Sequence, residues 1–156
     1  MKKLLVVALA GLFTLTMSAQ SYKGSSRPQS AEEKLNEQYC SGLFKSTDGT
    51  ILNAESDISL SGYYNILDWI QGRVAGLQVY TSRSGVSIPV IRGTVPGIYV
   101  DEILVSASYL NALSIHDIAM VKVIKTPFFG GFNGSGGAIA IYTFRSEDDE
   151  EETDSK

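Results

Sequence analysis

The sequence predicts a small α+β domain, with one mixed β-sheet and a few short helices. Short runs rich in branched and aromatic residues recur along the chain, and the most apolar of them cover residues 119–124 and 138–144. Runs of this length and composition are typical of strands. One longer stretch, residues 65–76, has the apolar spacing of an amphipathic helix instead.

The first 19 residues are predicted to be a signal peptide. Lys2 and Lys3 form a basic start, a mostly apolar run follows over 4–17, and small residues place the cleavage site near Ala19. A retained anchor is the alternative, but the apolar run is shorter than the roughly 20 residues that a spanning helix needs. The rest is predicted to be a flexible linker with a possible short helix (20–46), a folded domain (47–145) and a disordered acidic tail (146–156).

A short helix is predicted over residues 31–40, at the end of the linker. Ser30 is placed to cap this helix, and Glu33 occupies the reciprocal position of a capping box. Cys40 is the only cysteine, so it cannot form an internal disulfide, and we expect it to be a small apolar residue at the helix end. An intermolecular disulfide in an oxidising compartment is the alternative.

The clearest helix is predicted over residues 65–76. Asn65 can cap its first turn, and Asp68 places a negative charge where the helix dipole favours one. Gly76 can adopt the positive φ that ends a helix, and a strand is expected over 77–80. The apolar stripe of this helix consists of Leu67, Ile70 and Val74.

Two strands, over 86–92 and 97–100, are predicted on either side of a tight connection. Pro89 lies inside the first of them and lacks an N–H donor, which indicates an edge strand or a bulge. Residues 138–144 are apolar at successive positions, as in a central strand covered on both faces. Short helical turns are expected over 106–111 and 114–117.

The charge distribution excludes nucleic acid as a partner. The net charge is −4, but seven of the seventeen acidic residues lie in the tail, so the body of the chain is close to neutral. A neutral body offers no basic patch for a phosphate backbone.

Residues that carry catalytic or metal-binding chemistry are scarce. His116 is the only histidine, so no zinc site of ordinary composition is expected, and a surface or capping role is predicted for it. Asp101 and Glu102 are adjacent, so they either point to opposite faces of a strand or form a solvated turn. The glycines between 130 and 137 lead into a strand rather than a helix, unlike a phosphate-binding loop. No enzyme activity and no cofactor are predicted.

Five segments carry a family resemblance. They are a helix of the type Leu-x-Gly-x-Val-x-Gly-Val at 70–77, Ile-Arg-Gly at 91–93, Tyr-Val-Asp at 99–101, an Asp-Ile-x-x-Ile-Glu-Val-Leu-Lys signature at 117–125 and a closing Gly-Val-Ile-x-Ile-x-Thr at 137–143. In this order they resemble the plug domain of TonB-dependent outer-membrane receptors. The resemblance implies structural roles for the plug-motif residues Gly72, Gly76, Arg92, Gly93, Tyr99, Asp101, Asp117, Ile118, Gly136 and Gly137.

The chain also departs from that family. Glu102 replaces the glycine that follows Tyr-Val-Asp. Only residues 94–96 connect two strands where plugs often carry a longer excursion, and no apolar motif for pairing with TonB is evident near the mature N-terminus. We expect a stand-alone plug, because a receptor barrel of about 22 strands needs far more residues than follow it.

The resemblance implies an exported, non-enzymatic interaction module associated with outer-membrane nutrient uptake in a Gram-negative bacterium. Its expected partner is an outer-membrane receptor or another envelope protein, and it is expected to be peripheral to the outer membrane at most. The alternative is a free-standing periplasmic or surface protein that keeps the plug fold without a transport role. A small-molecule ligand is not expected, because aromatic residues such as Tyr63, Tyr64, Phe128, Phe129 and Phe132 more often serve packing.

Overall fold

The computed structural model describes residues 28–128 and 136–145. The predicted signal peptide with its cleavage site near Ala19, the first part of the linker, most of the glycine-rich segment and the acidic tail lie outside the described residues.

The described part contains a five-stranded mixed sheet, a separate two-stranded ribbon and short helices, so the predicted α+β class is confirmed. The strands are β1 (Thr50–Asn53), β2 (Leu77–Thr81), β3 (Ser87–Ile91), β4 (Gly97–Val100), β5 (Ile103–Val105), β6 (Ile118–Ile124) and β7 (Ala138–Thr143). The α-helices are α1 (Ala31–Tyr39), α2 (Gly42–Ser46) and α3 (Ile66–Ile70). Short 3₁₀ helices span Ile58–Gly62, Ala107–Asn111 and Ile115–Asp117.

Strand β7 lies at the centre of the large sheet, whose order is β1-β6-β7-β4-β5. It pairs antiparallel with β6 and parallel with β4, which makes the sheet mixed. The remaining strands β2 and β3 form the antiparallel ribbon. Five of the six residues of β7 are buried, as the prediction of a central strand requires.

Alternating side chains divide the sheet into two covered faces. On the first face, Ile139 and Ile141 of β7 belong to one apolar cluster with α3, including Trp69. On the second face, Ala138 and Ala140 belong to another cluster, which includes residues of α1 and α2. Because both faces of β7 are covered, its sequence is apolar at successive positions from Ala138 to Ile141 rather than at every second one.

Helix α1 begins with the predicted capping box. The Glu33 backbone N–H donates to the Ser30 hydroxyl at 3.1 Å, and the Ser30 N–H donates to the Glu33 carboxylate at 2.9 Å. Cys40 follows the last turn and is buried. The predicted position of Cys40, at the end of a short helix, is therefore what the structure has.

The predicted helix over 65–76 is shorter in the structure. Asn65 caps it as expected, by accepting from the Leu67 N–H at 2.9 Å, but α3 ends at Ile70. Gln71 is already extended, with ψ of 129°, and Gly72 has φ of +82°. The apolar spacing predicted too long a helix, because Val74 is buried although it lies in the turn that follows the helix.

Pro89 lies on the ribbon at a position where its missing N–H costs no ladder bond. Backbone bonds from Arg92 N–H to Gly76 C=O (3.1 Å) and from Ser82 N–H to Val86 C=O (2.8 Å) fix which residues of β2 and β3 bond each other. Bonded pairs alternate with non-bonded pairs in an antiparallel ladder, so Pro89 is in a non-bonded pair with Val79. Its ring nitrogen therefore faces the open edge of β3, as predicted for an edge strand.

Lys122 of β6 points to the second face and is buried, with 2% of its surface exposed. Its Nζ donates at 2.6 Å both to the Asn36 side-chain oxygen of α1 and to the Phe44 carbonyl of α2. No carboxylate of the described residues forms an ion pair with it. Burial lowers the pKa of Lys122, because the charged form loses hydration.

Two glycines with the same backbone conformation should differ in what they tolerate. Gly85 has φ of +78° and open space around it, so Gly85→Ala should lower the free energy of unfolding by about 1–2 kcal/mol through backbone strain alone. Gly137 has φ of +79°, and an added Cβ would overlap the Ile124 carbonyl oxygen, so Gly137→Ala should cost a further ~2 kcal/mol. Urea denaturation of both variants measures the difference, and equal costs would contradict this packing role.

The buried lysine should make stability depend on pH. In the unfolded chain a lysine has a pKa of about 10.4, so between the lowered pKa of Lys122 and that value the unfolded chain binds more protons than the folded one. The free energy of unfolding should therefore rise with pH across this window. Burial also raises the pKa of Cys40, Tyr39, Tyr99 and Tyr142, and a raised pKa acts in the opposite direction. That effect begins above about pH 8.5 for the thiol and above about pH 10 for the phenols.

Chemical denaturation between about pH 7 and about pH 8.5, below the range where the Cys40 thiol has its opposite effect, should show this rise in the native chain. Lys122→Met should flatten it, whereas Lys45→Met, at an exposed position of α2, should keep the native slope. Identical slopes in the native chain and in Lys122→Met would show that the buried ammonium does not carry the effect.

Candidate functional site

The plug-motif residues do not converge on one site. Gly72 and Gly76 both have positive φ and lie in the turn between α3 and β2. Arg92 and Gly93 have φ of 51° and 85° and form the two-residue turn that Ile91 and Thr94 close with reciprocal backbone bonds of 2.8 and 3.0 Å. A turn with two positive φ values strongly favours glycine at its second position.

The remaining plug-motif residues lie around the central strand. An added Cβ on Gly136 would overlap the Val95 carbonyl, and Gly137 approaches Ile124 as closely. Asp117 and Ile118 lie where β6 begins, and the Asp117 carbonyl accepts from the Phe144 N–H at 3.0 Å. Tyr99 is buried on the second face, with its ring centroid 5.0 Å from that of Phe44. These positions close turns and pack strands.

Asp101 and Glu102 form the two-residue turn of the β4–β5 hairpin, with φ of 47° and 67°. The chain therefore turns here, as one of the two predicted alternatives states, but the carboxylates are bonded rather than only solvated. Asp101 accepts from the Thr143 N–H at 2.9 Å and from its hydroxyl at 2.8 Å. Glu102 accepts from the Ser41 N–H at 2.6 Å, from the Ser41 hydroxyl and from the Tyr142 hydroxyl at 3.2 Å.

The groups near this turn are not activated for chemistry. Burial raises the pKa of the Cys40 thiol, so the reactive thiolate is disfavoured. Burial also raises the pKa of Tyr142 well above its ordinary value, and its contacts with Cys40 and Glu102 raise it further. The cleft beside them, about 330 Å³, is lined by the neutral phenol of Tyr142, by Arg145 and by the two carboxylates, which already have donors.

His116 lies in the 3₁₀ helix Ile115–Asp117 with its side chain exposed, which agrees with the predicted surface role. In the described part of the chain, no three His, Cys, Asp or Glu side chains are grouped as a metal site requires. No helix there is long and apolar enough to cross a membrane.

The aromatic residues have different environments. Phe128 packs against Phe44 with ring centroids 4.7 Å apart, which is the predicted packing role. Tyr64 is 88% exposed and lines a cleft of about 320 Å³ together with Tyr63 and His116. Phe129 and Phe132 lie outside the described residues.

An apolar cleft lies between the ribbon and the edge of the large sheet, and we call it the edge groove. Its volume is about 410 Å³, and no charged side chain of the described residues lines it. Leu104 of β5 is 42% exposed there, and Val95 is 41% exposed. The lining residues are Ile88, Pro89, Val95, Pro96, Gly97, Ile98, Leu104, Val105, Ser106 and Ala107.

Sequence reasoning missed the edge groove because it missed β5. The run Ile103-Leu104-Val105 is branched and apolar, which is a strand signal, but it has only three residues and follows two acidic residues. The turn conformation of Asp101 and Glu102 is what makes this run a strand of its own.

No protein-family model and no curated protein sequence matches the chain. Among solved structures, a chain of the RagAB peptide importer matches 69% of this chain at 25% identity, with a TM-score of 0.54, over 13% of its own length. The ferric enterobactin receptor PfeA from Pseudomonas aeruginosa matches 65% at 22% identity, with a TM-score of 0.50, over 18% of its length.

The siderophore receptor PirA from Acinetobacter baumannii matches 75% of this chain at 20% identity, with a TM-score of 0.51. This chain spans only 13 to 19% of the length of these three proteins. In each case the matched part has the size of a plug domain. The chain is therefore similar in fold to the plug domain of TonB-dependent receptors.

Proposed function

We propose that the chain is a non-enzymatic plug-like protein that binds another protein of the cell envelope, in association with outer-membrane nutrient uptake. The observation that carries this proposal is the edge groove, an uncharged apolar surface left open on a plug-like fold. Exposed apolar surface of this kind marks sites of interaction with other macromolecules.

The structural similarity supports the uptake context. The similar proteins are described as a peptide importer, a ferric enterobactin receptor and a siderophore receptor, and the part they share with this chain is the plug-sized one. Because this chain spans less than a fifth of each of them, transport itself is not assigned to it. We infer instead that its partner is an outer-membrane receptor or another envelope protein.

The chemistry of the described residues supports a non-enzymatic role. The carboxylates of Asp101 and Glu102 hold backbone and hydroxyl groups in place, and burial keeps the Cys40 thiol protonated. Residues that hold the fold together in this way are not free to bind and turn over a substrate.

We propose the domain organisation and location as well. A signal peptide over 1–19, cleaved near Ala19, would export the chain to the envelope, and the plug-like domain would cover 47–145. The end of the proposed linker, 20–46, includes α1 and α2, which pack on the second face of the sheet. The acidic tail, 146–156, would be disordered and solvated.

A free-standing periplasmic or surface protein is the second candidate. The short connection between β3 and β4 favours it, because Ile91 to Thr94 close a tight turn where plugs often carry a longer excursion. This candidate needs no partner at the edge groove, so cross-linking at that groove separates the two functions.

The partner should be cross-linked from the edge groove and not from the opposite ribbon strand. Leu104 in the groove and Tyr80 on β2, which is 56% exposed, are each replaced by the photoreactive residue p-benzoylphenylalanine in the full chain. Irradiation of intact cells should give an adduct with an outer-membrane protein at position 104 but not at position 80. Absence of an adduct at position 104, or equal adducts at both, would count against the proposed function.

A further inference from the structure

The register of the β4–β5 hairpin leaves backbone groups of β5 on its outer side without a partner among residues 28–128 and 136–145. The pairs are Val100 with Ile103, Tyr99 with Leu104, and Ile98 with Val105. The residues that flank a two-residue turn bond each other, and bonded pairs then alternate with non-bonded ones. The Leu104 N–H and C=O therefore face away from β4, toward the open edge of the sheet.

The next outward residue along this edge is Ser106. Its N–H faces the same side as that of Leu104, because backbone direction repeats every two residues in an extended chain. Its carbonyl is already used, since it accepts from the Tyr109 N–H at 3.0 Å. The edge thus offers a donor and an acceptor at Leu104 and a further donor at Ser106.

The other wall of the edge groove cannot receive a strand in the same way. The open edge of β3 would present an N–H at Pro89, but proline has none. The Ile91 N–H, two residues on, already donates to the Thr94 carbonyl at 2.8 Å. Where β3 lines the groove, its open edge offers the Pro89 carbonyl but no N–H donor, so an entering chain finds both a donor and an acceptor only at β5.

The groove also selects the chemistry of its occupant. Its ten lining residues carry no charge, so a charged side chain placed there would lose hydration without gaining a partner. In a strand added at β5, every second side chain points to the same face. The lack of charge in the groove thus favours a segment with small or branched apolar residues at alternate positions.

From this geometry we propose that β5 accepts an extended, uncharged segment of a partner protein as an additional strand, with alternate apolar side chains in the edge groove. This proposal rests on the proposed function in that the partner is a protein. It adds the backbone groups that bind and the chemistry of the segment.

The test uses the isotope-labelled full chain and the capped peptide Ser-Val-Thr-Val-Thr-Val-Ser. Titration should shift the amide signals of Leu104 and Ser106 saturably and slow the hydrogen exchange of the Leu104 amide. The direction of the added strand decides which N–H groups face β5, so one further peptide is N-methylated at the valines and another at the intervening residues. A third peptide carries glutamate in place of valine. One of the two N-methylated peptides, and the glutamate peptide, should bind at least about ten-fold more weakly than the plain peptide.

Equal binding of the plain peptide and of both N-methylated peptides would overturn the proposal, since it would show apolar contact without a ladder. Absence of any shift at Leu104 with the plain peptide, or a shift centred on β3, would overturn it as well. Binding of the glutamate peptide with undiminished affinity would contradict the selection by charge.

A pair of variants tests the same backbone group from the side of the protein. Leu104→Pro removes only an N–H that faces away from β4, as Pro89 does in β3, and should keep the thermal unfolding of the native chain while losing the peptide shifts. Leu104→Ala keeps the N–H and should retain the shift at Ser106. If Leu104→Pro does not fold, the N-methylated peptides alone test whether a backbone ladder forms with β5.

The proposal and the proposed function fail separately. Cross-links at position 104 in cells without strand addition in the titration would leave a groove partner but refute the ladder. Strand addition in the titration without a cross-link in cells would leave a peptide-binding edge but refute the envelope partner.

Discussion

The burial of β7 on both faces is the constraint on which the rest of this structure depends. A central strand without a solvated face needs two covering layers, and this small domain builds them from different parts of the chain. α3 and its turns cover the first face, whereas α1 and α2 cover the second. Gly136 and Gly137 make the arrangement possible, because they pass close to the backbone of Val95 and Ile124 at the entry to β7. Any side chain at these two positions would push the central strand out of its place.

Glu102 and Lys122 both stabilise the layer that α1 and α2 form on the second face of the sheet. Glu102 bonds Ser41 immediately before α2, and Lys122 bonds both α1 and α2. A non-glycine residue at positive φ costs about 1–2 kcal/mol, and burial of an ammonium is also unfavourable. Hydrogen bonds to charged groups contribute about 1.5–3 kcal/mol each, which is enough to offset the backbone strain. Both residues therefore hold α1 and α2 against the sheet through these hydrogen bonds.

Local signals in the sequence predicted local structure well. The capping box at Ser30 and Glu33, the cap at Asn65 and the apolar runs of β6 and β7 all act over a few residues, so a single sequence shows them. The helix over 65–76 was predicted to be too long. Val74 has the spacing of a helix face, but it is buried in a turn after the helix has ended. The edge groove was not predictable, since it forms where Ile88 and Pro89 meet Leu104 and Val105, and that contact is set by the arrangement of two sheets.

The strand edges differ in how they are protected, and this difference indicates which edge binds another protein. Exposed edges tend to pair with other chains unless a helix covers them or a proline, charge or bulge blunts them. β1 lies in contact with α1 at one end of the large sheet, and β3 of the ribbon carries Pro89 at its open side. β5 has neither device, and its residues are isoleucine, leucine and valine, with Ile103 69% exposed. Pro89 blunts the edge of β3 and α1 covers that of β1, whereas β5 keeps an apolar edge beside the edge groove. This difference between the edges favours a binding role for β5 over a general tolerance of exposed strands.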